Sequence, residues 1–455
     1  MNSKDTIIAP ATPPGEGGIA VVRLSGSSAL SALRQHFKVS SGAKDLTSHH
    51  LYHGKLLDQR GSVIDEVLAV YMAAPRSYTC EDVVEIHCHG SQQIVKEVLR
   101  LFQVDGLRLA EPGEFTYRAF MNGRLDLSQA EAVARLIHSH SESSRKIALS
   151  HLEGALSTLI GTYSNKLKKS LVLLEAWIDF PEEDLPEEDL QEIYTICKSI
   201  FVDSSEILKS YKYGKVLVEG VSIVLAGQPN VGKSSLLNVL LGEERAIVTD
   251  IPGTTRDLIE EGMSINGLSV KLIDTAGLRV SDDLVEVEGI KRAEKKLETA
   301  DLVLLLLDST KDMDERDFRA LNLCQGLPTF LVFTKNDLPH DSSNIEGFNF
   351  PVFRISSKSE SGIDELKTAI SEYFINQGGM LENRETVILS EQRHFDALFK
   401  CTKNLENVLA SIGSTDLELL AFELREALYF LGQISGETST EDLLDEIFSN
   451  FCIGK

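Results

Sequence analysis

The fold is decided by residues 221–242, VSIVLAGQPNVGKSSLLNVLLG, where an apolar run enters a glycine turn and a helical pattern follows. Within this stretch residues 227–234, GQPNVGKS, match the pattern GxxxxGK[ST]. A loop of this kind between a strand and a helix presents backbone N–H groups and a helix N-terminus to phosphate. We expect Lys233 to reach the β and γ phosphates and the Ser234 hydroxyl to bind Mg²⁺. The stretch therefore predicts a nucleoside triphosphate site.

Further apolar runs follow this loop, and each ends on polar residues: ADLVLLLLD at 300–308, TFLVFTKND at 329–337 and FPVFRISS at 350–357. Two more runs flank Asn266-Gly267, the strongest short signal for a β-hairpin. Buried runs separated by helical segments indicate a parallel sheet covered on both faces. The hairpin adds one antiparallel strand to the predicted sheet.

Three further motifs follow in the order that a GTPase requires: Asp274-Thr275-Ala276-Gly277, Thr334-Lys335-Asn336-Asp337 and Ser356-Ser357-Lys358. The first is expected to place a carboxylate near Mg²⁺ and a glycine amide near the γ-phosphate. The Asp337 carboxylate can accept both the N1–H and the exocyclic amine of guanine, a donor pair that adenine lacks. The third motif could donate a backbone N–H to the guanine oxygen. The four motifs together predict GTP as the nucleotide.

The motifs depart from the common pattern at three positions. Asn is usual where Thr334 stands, and Ala is usual where Ser357 stands. Leu278 follows the DTAG motif, where Ras-like proteins often carry a glutamine that orients the attacking water. No arginine finger within the chain is evident. Another residue must therefore position the water, and residues 249–257, TDIPGTTRD, are expected to form a switch loop with a Mg²⁺-binding hydroxyl.

The whole chain is acidic and long. Its 455 residues include 69 Asp and Glu against 45 Lys and Arg, a formal charge of −24. Ordinary composition excludes collagen-like and wholly disordered classes, and about 150 residues per domain suggests about three domains. The acidity argues against a free-standing nucleic-acid binder. The charge is uneven, however, because residues 1–120 carry a net charge of only −1.

Cysteine usage and hydropathy indicate a cytoplasmic protein that is not inserted in a membrane. Six cysteines are scattered without a CxxC pair, which is typical of a reducing compartment. The N-terminal residues lack the basic and apolar regions of a signal peptide. The most apolar stretch, residues 302–307, has 6 residues, against about 20 for a membrane helix.

The pattern of predicted secondary structure changes along the chain. Residues 1–120 mix predicted strands (19–24, 67–72 and 82–87) with predicted short helices (29–37 and 93–102), which indicates an α+β domain. Residues 121–215 and 381–455 are helical, and Ser128 followed by Glu131 predicts a capping box at the first of these helices. Residues 216–380 are α/β. We expect the two helical segments to form one bundle into which the α/β domain is inserted.

Together these segments resemble the MnmE (also called TrmE) family of tRNA-modifying GTPases. The resemblance rests on GQPNVGKS, IPGTTRD, DTAGLR and the C-terminal CIGK at 452–455. It extends over the chain through DTIIAPATPPGEGGIAVVRLSG, YTCEDVVEIHCHG, EPGEFTYRAFMNGRLDLSQAEAV and IDFPEED.

The resemblance implies a multi-domain α/β and α fold: an α+β N-terminal tetrahydrofolate-binding and dimerisation domain, a helical domain made of two segments, and an inserted Ras-like P-loop G domain. It implies a homodimer that works with the flavoprotein MnmG, which carries FAD, in a heterotetramer-like complex. This complex would add an aminomethyl or carboxymethylaminomethyl group to C5 of the wobble uridine of certain tRNAs. The carbon donor would be 5-formyl- or methylene-tetrahydrofolate, and GTP hydrolysis would require Mg²⁺ and K⁺.

The resemblance also implies roles for individual residues. The K⁺ ligands would be Asn230, Thr249, Ile251 and Thr254, and Thr255 would be the second Mg²⁺ ligand. Val231, Gly232 and Ser235 would complete the phosphate site, and Glu286 would orient water. The folate would contact Arg23, Glu85, Arg124 and Lys455, and Cys452 would be a reactive thiol.

Several alternatives stay open on the sequence alone. Taken singly, the folate-site residues could form surface ion pairs, Glu286 could be a solvated acid and Cys452 a small buried hydrophobe. A regulatory GTPase of ribosome assembly would share the G-domain motifs, although it would not account for residues 1–120 or CIGK. A folate-dependent transferase with a merely regulatory GTPase is a third possibility.

Overall fold

The structure is a computed structural model of the chain. It describes residues 5–42, 45–139, 141–179, 187–243, 260–274, 300–339, 349–376, 387–412, 416–449 and 451–455. The chain forms two compact units. The first contains Met1–Ala134, His151–Val172 and Arg425–Lys455, and the second contains Arg135–Ser150 and Leu173–Leu424. The four domain ranges expected from the sequence stay a prediction.

Among its described residues, the first unit contains a mostly antiparallel sheet in the order β3-β4-β5-β6-β2-β1-β7, in which β1 and β7 run parallel. Its strands are β1 (Ile7–Pro10), β2 (Gly17–Ser25), β3 (Phe37–Val39), β4 (Leu51–Leu57), β5 (Val63–Met72), β6 (Val83–Gly90) and β7 (Arg108–Leu109). The helices α1 (Ala29–His36), α2 (Gln92–Val104) and α3 (Glu114–Met121) interrupt them. The predicted strands and helices of this region are therefore confirmed.

The two faces of this sheet differ because side chains alternate along each strand. Val22, Leu24 and Ile86 point to a buried core that includes residues of α1 and α2. On the opposite face, Ile7 and Ala9 of β1 pack against Phe115 of α3. The rest of that second face, over β4, β5 and β6, includes partly and fully exposed residues.

Two groups of helices flank the second sheet along the sequence. The helices α4 (Leu127–Ile137), α5 (Glu142–Leu152), α6 (Ala155–Asp179), α7 (Glu187–Lys209) and α8 (Tyr211–Glu219) precede it, and α12 (Gln392–Ser411), α13 (Leu417–Ser435) and α14 (Glu441–Ser449) follow it. The predicted Ser128 cap is wrong, because α4 begins one residue earlier. The Asp126 carboxylate accepts a bond from the Gln129 N–H at 2.9 Å, and the Gln129 side-chain oxygen accepts one from the Asp126 N–H at 3.0 Å. This pair is the reciprocal cap that the sequence misplaced by two residues.

Within the second unit, helices from before and after the α/β segment pack together. The Thr402 hydroxyl of α12 lies 2.9 Å from the Ser204 hydroxyl of α7. The Tyr211 hydroxyl of α8 donates to the Gln392 side chain at 2.7 Å. No helix in the described ranges has the length and apolar character needed to cross a bilayer.

Among the described residues the second unit has a six-stranded sheet in the order β13-β12-β11-β8-β10-β9. The strands are β8 (Val221–Ala226), β9 (Glu260–Ile265), β10 (Leu268–Asp274), β11 (Leu302–Asp308), β12 (Thr329–Thr334) and β13 (Val352–Arg354), with helices α9 (Lys233–Glu243), α10 (Glu315–Leu323) and α11 (Ile363–Asn376). All neighbours are parallel except β9 and β10. Asn266 and Gly267 join those two strands with φ of 50° and 83°, as a tight hairpin turn requires. The predicted parallel sheet and hairpin are confirmed.

A buried ionic network fixes α3 to the edge of the first sheet. Arg118 Nη2 of α3 lies 2.7 Å from Asp5 Oδ1 and 2.9 Å from Glu114 Oε1. Arg108 Nη2 lies 2.6 Å from the same Glu114 oxygen. The Arg118 and Glu114 side chains are only 4% and 1% exposed, so each charge depends on its partners. Burial alone raises the pKa of Glu114, but hydrogen bonds from Arg108, a backbone N–H and Arg118 bring the pKa below its ordinary value.

Replacing Arg118 by Met should destabilise the first unit by about 3–5 kcal/mol, because the buried Glu114 carboxylate loses a partner. Amide hydrogen exchange of peptides that cover β1 and α3 measures this locally. Arg34→Met is the matched control, since the Arg34–Asp45 pair is exposed and should contribute less than about 1 kcal/mol. Equal protection in the two variants would contradict a structural role for the network.

Candidate functional site

The phosphate loop has the backbone that its sequence predicts. Gly227, Asn230 and Gly232 have φ of 133°, 62° and 110°, a region that favours glycine and tolerates asparagine. A Cβ on Gly227 would lie 2.4 Å from the Leu306 carbonyl oxygen. The loop therefore passes tightly over β11 and delivers the chain to the N-terminus of α9, which begins at Lys233. Successive N–H groups at such a turn form a site for an anion.

Lys233 lies across this loop. Its Nζ donates to the carbonyl oxygens of Gly227 at 2.6 Å and Gln228 at 2.8 Å, and the residue is 6% exposed. Ser234 and Ser235 are exposed in the first turn of α9, and Asn230 is exposed in the loop. Val231, also predicted to contact the nucleotide, is buried. The structure thus gathers the predicted phosphate residues around one concave turn.

Thr334, at the end of β12, joins the base-recognition motif to the phosphate loop. Its hydroxyl donates to the Val231 carbonyl oxygen at 2.5 Å and lies 3.2 Å from that of Leu307. The residue is 2% exposed. Threonine therefore retains a buried donor at the position where asparagine is usual. The sequence alone showed that threonine replaces asparagine here, but it did not show that the hydroxyl bonds to Val231.

A hydrogen bond from Ser356 orients the side chain of Asp337. Ser356 donates its hydroxyl to Asp337 Oδ1 at 2.7 Å, and this bond holds the pKa of the exposed carboxyl below its usual value. The Ser356 oxygen also accepts bonds from the N–H groups of Lys358 and Ser359 at 3.3 and 3.2 Å. The loop containing Ser356, Ser357 and Lys358 therefore lies beside an ionised Asp337.

Lys335 adds a contact that sequence reasoning missed. Its φ is 59°, and its Nζ lies 2.6 Å from Asp308 Oδ2 at the end of β11. Because β11 and β12 are parallel, Asp308 and Thr334 are register partners at the same edge of the sheet. A carboxylate at the end of LVLLLLD was the available signal for this ion pair.

The remaining predicted nucleotide and metal residues are only partly described. The Asp274 backbone ends β10 and is the register partner of Leu225 in β8, so the DTAG motif begins beside the phosphate loop. Eight predicted residues lie outside the described ranges: Thr249, Ile251, Thr254, Thr255, Thr275, Ala276, Gly277 and Glu286.

The first unit contains a second site, which we call the charged cluster: Arg23, Glu85, Arg124 and Lys455. Arg23 of β2 and Glu85 of β6 are register partners. Arg23 binds Glu85 Oε1 through Nε at 2.8 Å and Nη2 at 2.8 Å. Its Nη1 donates to the Gly454 carbonyl oxygen at 3.4 Å. One arginine therefore connects the middle of the sheet to the last residues of the chain.

The C-terminal tail reaches the cluster by capping α3. The N–H groups of Gly113 and Phe115 donate to the carbonyl oxygens of Cys452 at 3.5 Å and Lys455 at 3.2 Å. Burial and repulsion from Arg23 hold the pKa of the Lys455 ammonium below its ordinary value. The Cys452 side chain is exposed, so this thiol is not a buried hydrophobe.

Tyr78 lies against the cluster and was missed by sequence reasoning. The Arg124 guanidinium carbon lies 4.8 Å from the Tyr78 ring centroid, and that of Arg23 lies 5.5 Å away. Arg124 also donates to the Tyr78 carbonyl oxygen at 2.7 Å. The aromatic residue directly ahead of TCEDVVEIHCHG was the signal present in the sequence.

The sheet and the phosphate and base motifs on its carboxyl edge define a P-loop GTPase. Comparisons with known proteins narrow this class. The model of the MnmE helical domain matches residues 127–452, and that of the GTP-binding protein TrmE N-terminus matches residues 6–124. The chain therefore belongs to the MnmE family of tRNA modification GTPases, and it is a GTP-hydrolysing enzyme.

Individual relatives are consistent with this assignment. The tRNA modification GTPase MnmE of Syntrophotalea carbinolica is 48% identical, and that of Natranaerobius thermophilus is 44% identical, each over 100% of both chains. Among solved structures, the G domain of the T. maritima FeoB iron transporter is 30% identical over 34% of this chain and 98% of its own, with a TM-score of 0.25.

Thr334→Val removes a buried donor while keeping the side-chain volume, so Val231 loses a hydrogen bond at the phosphate loop. We expect GDP affinity to fall about fivefold to tenfold, the equivalent of about 1 kcal/mol. Titration with a fluorescent GDP measures this directly. Thr334→Ser, which keeps the hydroxyl, should bind within about twofold of the wild type. An unchanged GDP affinity in Thr334→Val would show that the Thr334–Val231 hydrogen bond does not support nucleotide binding.

Proposed function

We propose that this chain is the GTPase subunit of a complex that adds an aminomethyl or carboxymethylaminomethyl group to C5 of the wobble uridine. The flavoprotein MnmG, with its FAD, would be the partner in a heterotetramer-like complex, and a tetrahydrofolate would supply the carbon. The observation that supports this proposal is the convergence of Arg23, Glu85, Arg124 and Lys455 in the first unit. A plain G-protein switch has no use for such a cluster.

The charged cluster has the donor and acceptor set that a folate requires. Arg23 donates hydrogen bonds to Glu85 Oε1, whereas Glu85 Oε2 lies 3.8 Å from His87 Nε2. That second oxygen suits the N–H and amino groups on a pterin edge. Arg124 and Lys455 add positive charge that suits the carboxylates of a glutamyl tail. The family's folate residues therefore fit a ligand with a hydrogen-bonding ring at one end and anions at the other.

For GTP hydrolysis, the phosphate loop and Lys233 would bind the β and γ phosphates and stabilise the charge that develops on them. The exposed hydroxyl of Ser234 fits a Mg²⁺ ligand, with Thr255 as the second. The exposed Asn230 side chain fits a K⁺ ligand, with Thr249, Ile251 and Thr254 completing the set. Such cations supply the charge neutralisation that an arginine finger provides elsewhere. Glu286 would orient the attacking water, which Leu278 cannot do.

The open face of the first sheet supports a homodimer. Leu51, Val70, Glu85 and Arg23 are successive register partners across four strands, so they share one face. Leu51 of β4 is 54% exposed, and Ile19 of β2 is 63% exposed. Apolar residues beside a charged site suit an interface between two copies. We also propose a cytoplasmic location and the insertion of the G domain between the two helical segments.

The acidity of the chain limits where tRNA can bind. Residues 216–380 carry a net charge of −11, whereas residues 1–120 carry −1. Phosphate contacts require basic surface. We therefore propose that tRNA is held mainly by the partner and by the N-terminal region, where the exposed Cys452 lies on the tail beside the charged cluster.

Cells that lack this protein should lose the C5 modification of wobble uridine, because no other subunit would supply the GTPase step. Nucleoside analysis of their tRNA by mass spectrometry measures the modified fraction. Reintroducing the wild-type gene should restore it, and Cys452→Ser should restore GTP hydrolysis without the modification. Full modification in the deleted cells would reject this function and favour a regulatory GTPase of ribosome assembly.

Glu286→Ala should leave GTP binding within about twofold but reduce potassium-stimulated turnover by about 100-fold or more, because the attacking water loses its base-like partner. Phosphate release in K⁺ and in Na⁺ separates the stimulated rate from the basal rate. Glu288→Ala is the matched control, since it removes a carboxylate two residues further along the sequence that has no proposed role. Unchanged turnover in Glu286→Ala would exclude this residue.

A further inference from the structure

Tyr78 is held rigidly beside the charged cluster. Its ring belongs to the small apolar cluster of Ile7, Ala9 and Phe115, and its hydroxyl lies 2.9 Å from that of Thr116. Burial raises the pKa of this hydroxyl, so it stays protonated at neutral pH. The ring is therefore a fixed surface, and nothing assigned so far to the site uses it.

Arg124 depends on that surface. Among the contacts in the described part of the chain, its side chain donates a hydrogen bond to the Tyr78 backbone carbonyl oxygen, and its guanidinium lies over the same residue's ring. Arg124 is otherwise exposed. A long exposed side chain loses rotamer freedom when it binds a ligand, unless another contact has already ordered it. Tyr78 supplies that contact.

Arg23 is ordered independently. It makes two bonds to Glu85 and one to the Gly454 carbonyl oxygen, in addition to its contact with the Tyr78 ring. Removing the ring would therefore leave the Arg124 guanidinium with its bond to the backbone carbonyl of residue 78, whereas Arg23 would keep its bonds to Glu85 and Gly454. Loss of the Tyr78 ring should therefore affect the Arg124 end of the charged cluster more than the Arg23–Glu85 end.

Like charges converge at this place. Arg23, Arg124 and Lys455 are basic, Glu85 is the one carboxylate of the cluster, and the lowered pKa of Lys455 reflects repulsion from Arg23 as well as burial. An anionic group on the ligand would relieve this repulsion. In the absence of ligand, the negative face of the Tyr78 ring holds the Arg124 guanidinium close to these other positive charges.

We propose that Tyr78 is a positioning residue that presents Arg124 to the carboxylate of an acidic tail, and so selects tailed folates over bare pterins. This inference rests on the proposed folate site. Glu85 and Arg23 would bind the ring end of the ligand, and Arg124, ordered by Tyr78, would bind the anionic end. Phenylalanine at this position keeps the ring and should keep the selectivity.

The test is calorimetric titration of the full-length chain with 5-formyltetrahydrofolate and with 6-methyltetrahydropterin, which has no glutamyl tail. Tyr78→Leu should weaken binding of the tailed ligand about tenfold, and Tyr78→Phe by less than about threefold, as the strength of a cation–π contact implies. Binding of the bare pterin should change by less than about twofold in both variants. Tyr52→Leu, in the same sheet but away from the cluster, is the matched control.

A second series keeps the packing unchanged. Phenylalanine at position 78 is exchanged for its mono-, di- and trifluoro forms, which weaken the ring's negative face in steps. The affinity for the tailed ligand should fall in the same order, and in an Arg124→Gln background the series should be flat. A purely structural role for Tyr78 would give no trend, and this series decides the matter if Tyr78→Leu does not fold.

The possible failures are distinguishable. If the wild-type chain binds neither ligand, the folate part of the proposed function is wrong. If the wild type binds 5-formyltetrahydrofolate and Tyr78→Leu binds it equally well, or loses both ligands to the same extent, the positioning role alone is wrong.

Discussion

The N-terminal amides of α3 are satisfied by the last residues of the chain, and the charged cluster depends on this contact. Gly454 has a φ of 92°, and a Cβ there would lie 2.0 Å from the Pro10 carbonyl oxygen, so glycine is required. The tail then places the Gly454 carbonyl within reach of Arg23, 431 residues away in sequence. Both ends of the chain are thereby committed to one site, whereas the nucleotide site is built from the middle.

The nucleotide site was largely predictable from the sequence, because its geometry is local or follows from a parallel sheet. Gly227 and Gly232 are required by the turn itself, and the register of β11 and β12 brings the ends of both strands to one edge. The partners of Thr334 and Lys335 were not predictable in detail. They join residues on different strands, and many polar pairs are possible before the fold is known. The misplaced cap on α4 is a smaller case, since Asp126 and Ser128 are both good caps and only the helix start distinguishes them.

The four residues of the charged cluster could be predicted only from the family resemblance. Composition and periodicity did not bring Arg23, Glu85, Arg124 and Lys455 together, because they lie on two strands, a turn and the C-terminus. Tyr78 was not predicted as a site residue because an aromatic side chain near a strand usually packs in the core. Tyr78 does pack with Phe115. Its significance comes from the two guanidiniums above it. Local basic charge of this kind also reconciles an acidic chain with a nucleic-acid substrate, since net charge restricts the location of contacts rather than their existence.

In the proposed function, the charged cluster and the GTPase serve one reaction. The most direct measurement is the mass of the wobble nucleoside after incubation of this chain with MnmG, unmodified tRNA, GTP, K⁺ and a tetrahydrofolate one-carbon donor. We expect a mass gain that is lost when the folate is omitted, and that is also lost when a non-hydrolysable GTP analogue replaces GTP. Modification that proceeds unchanged without either component would contradict it.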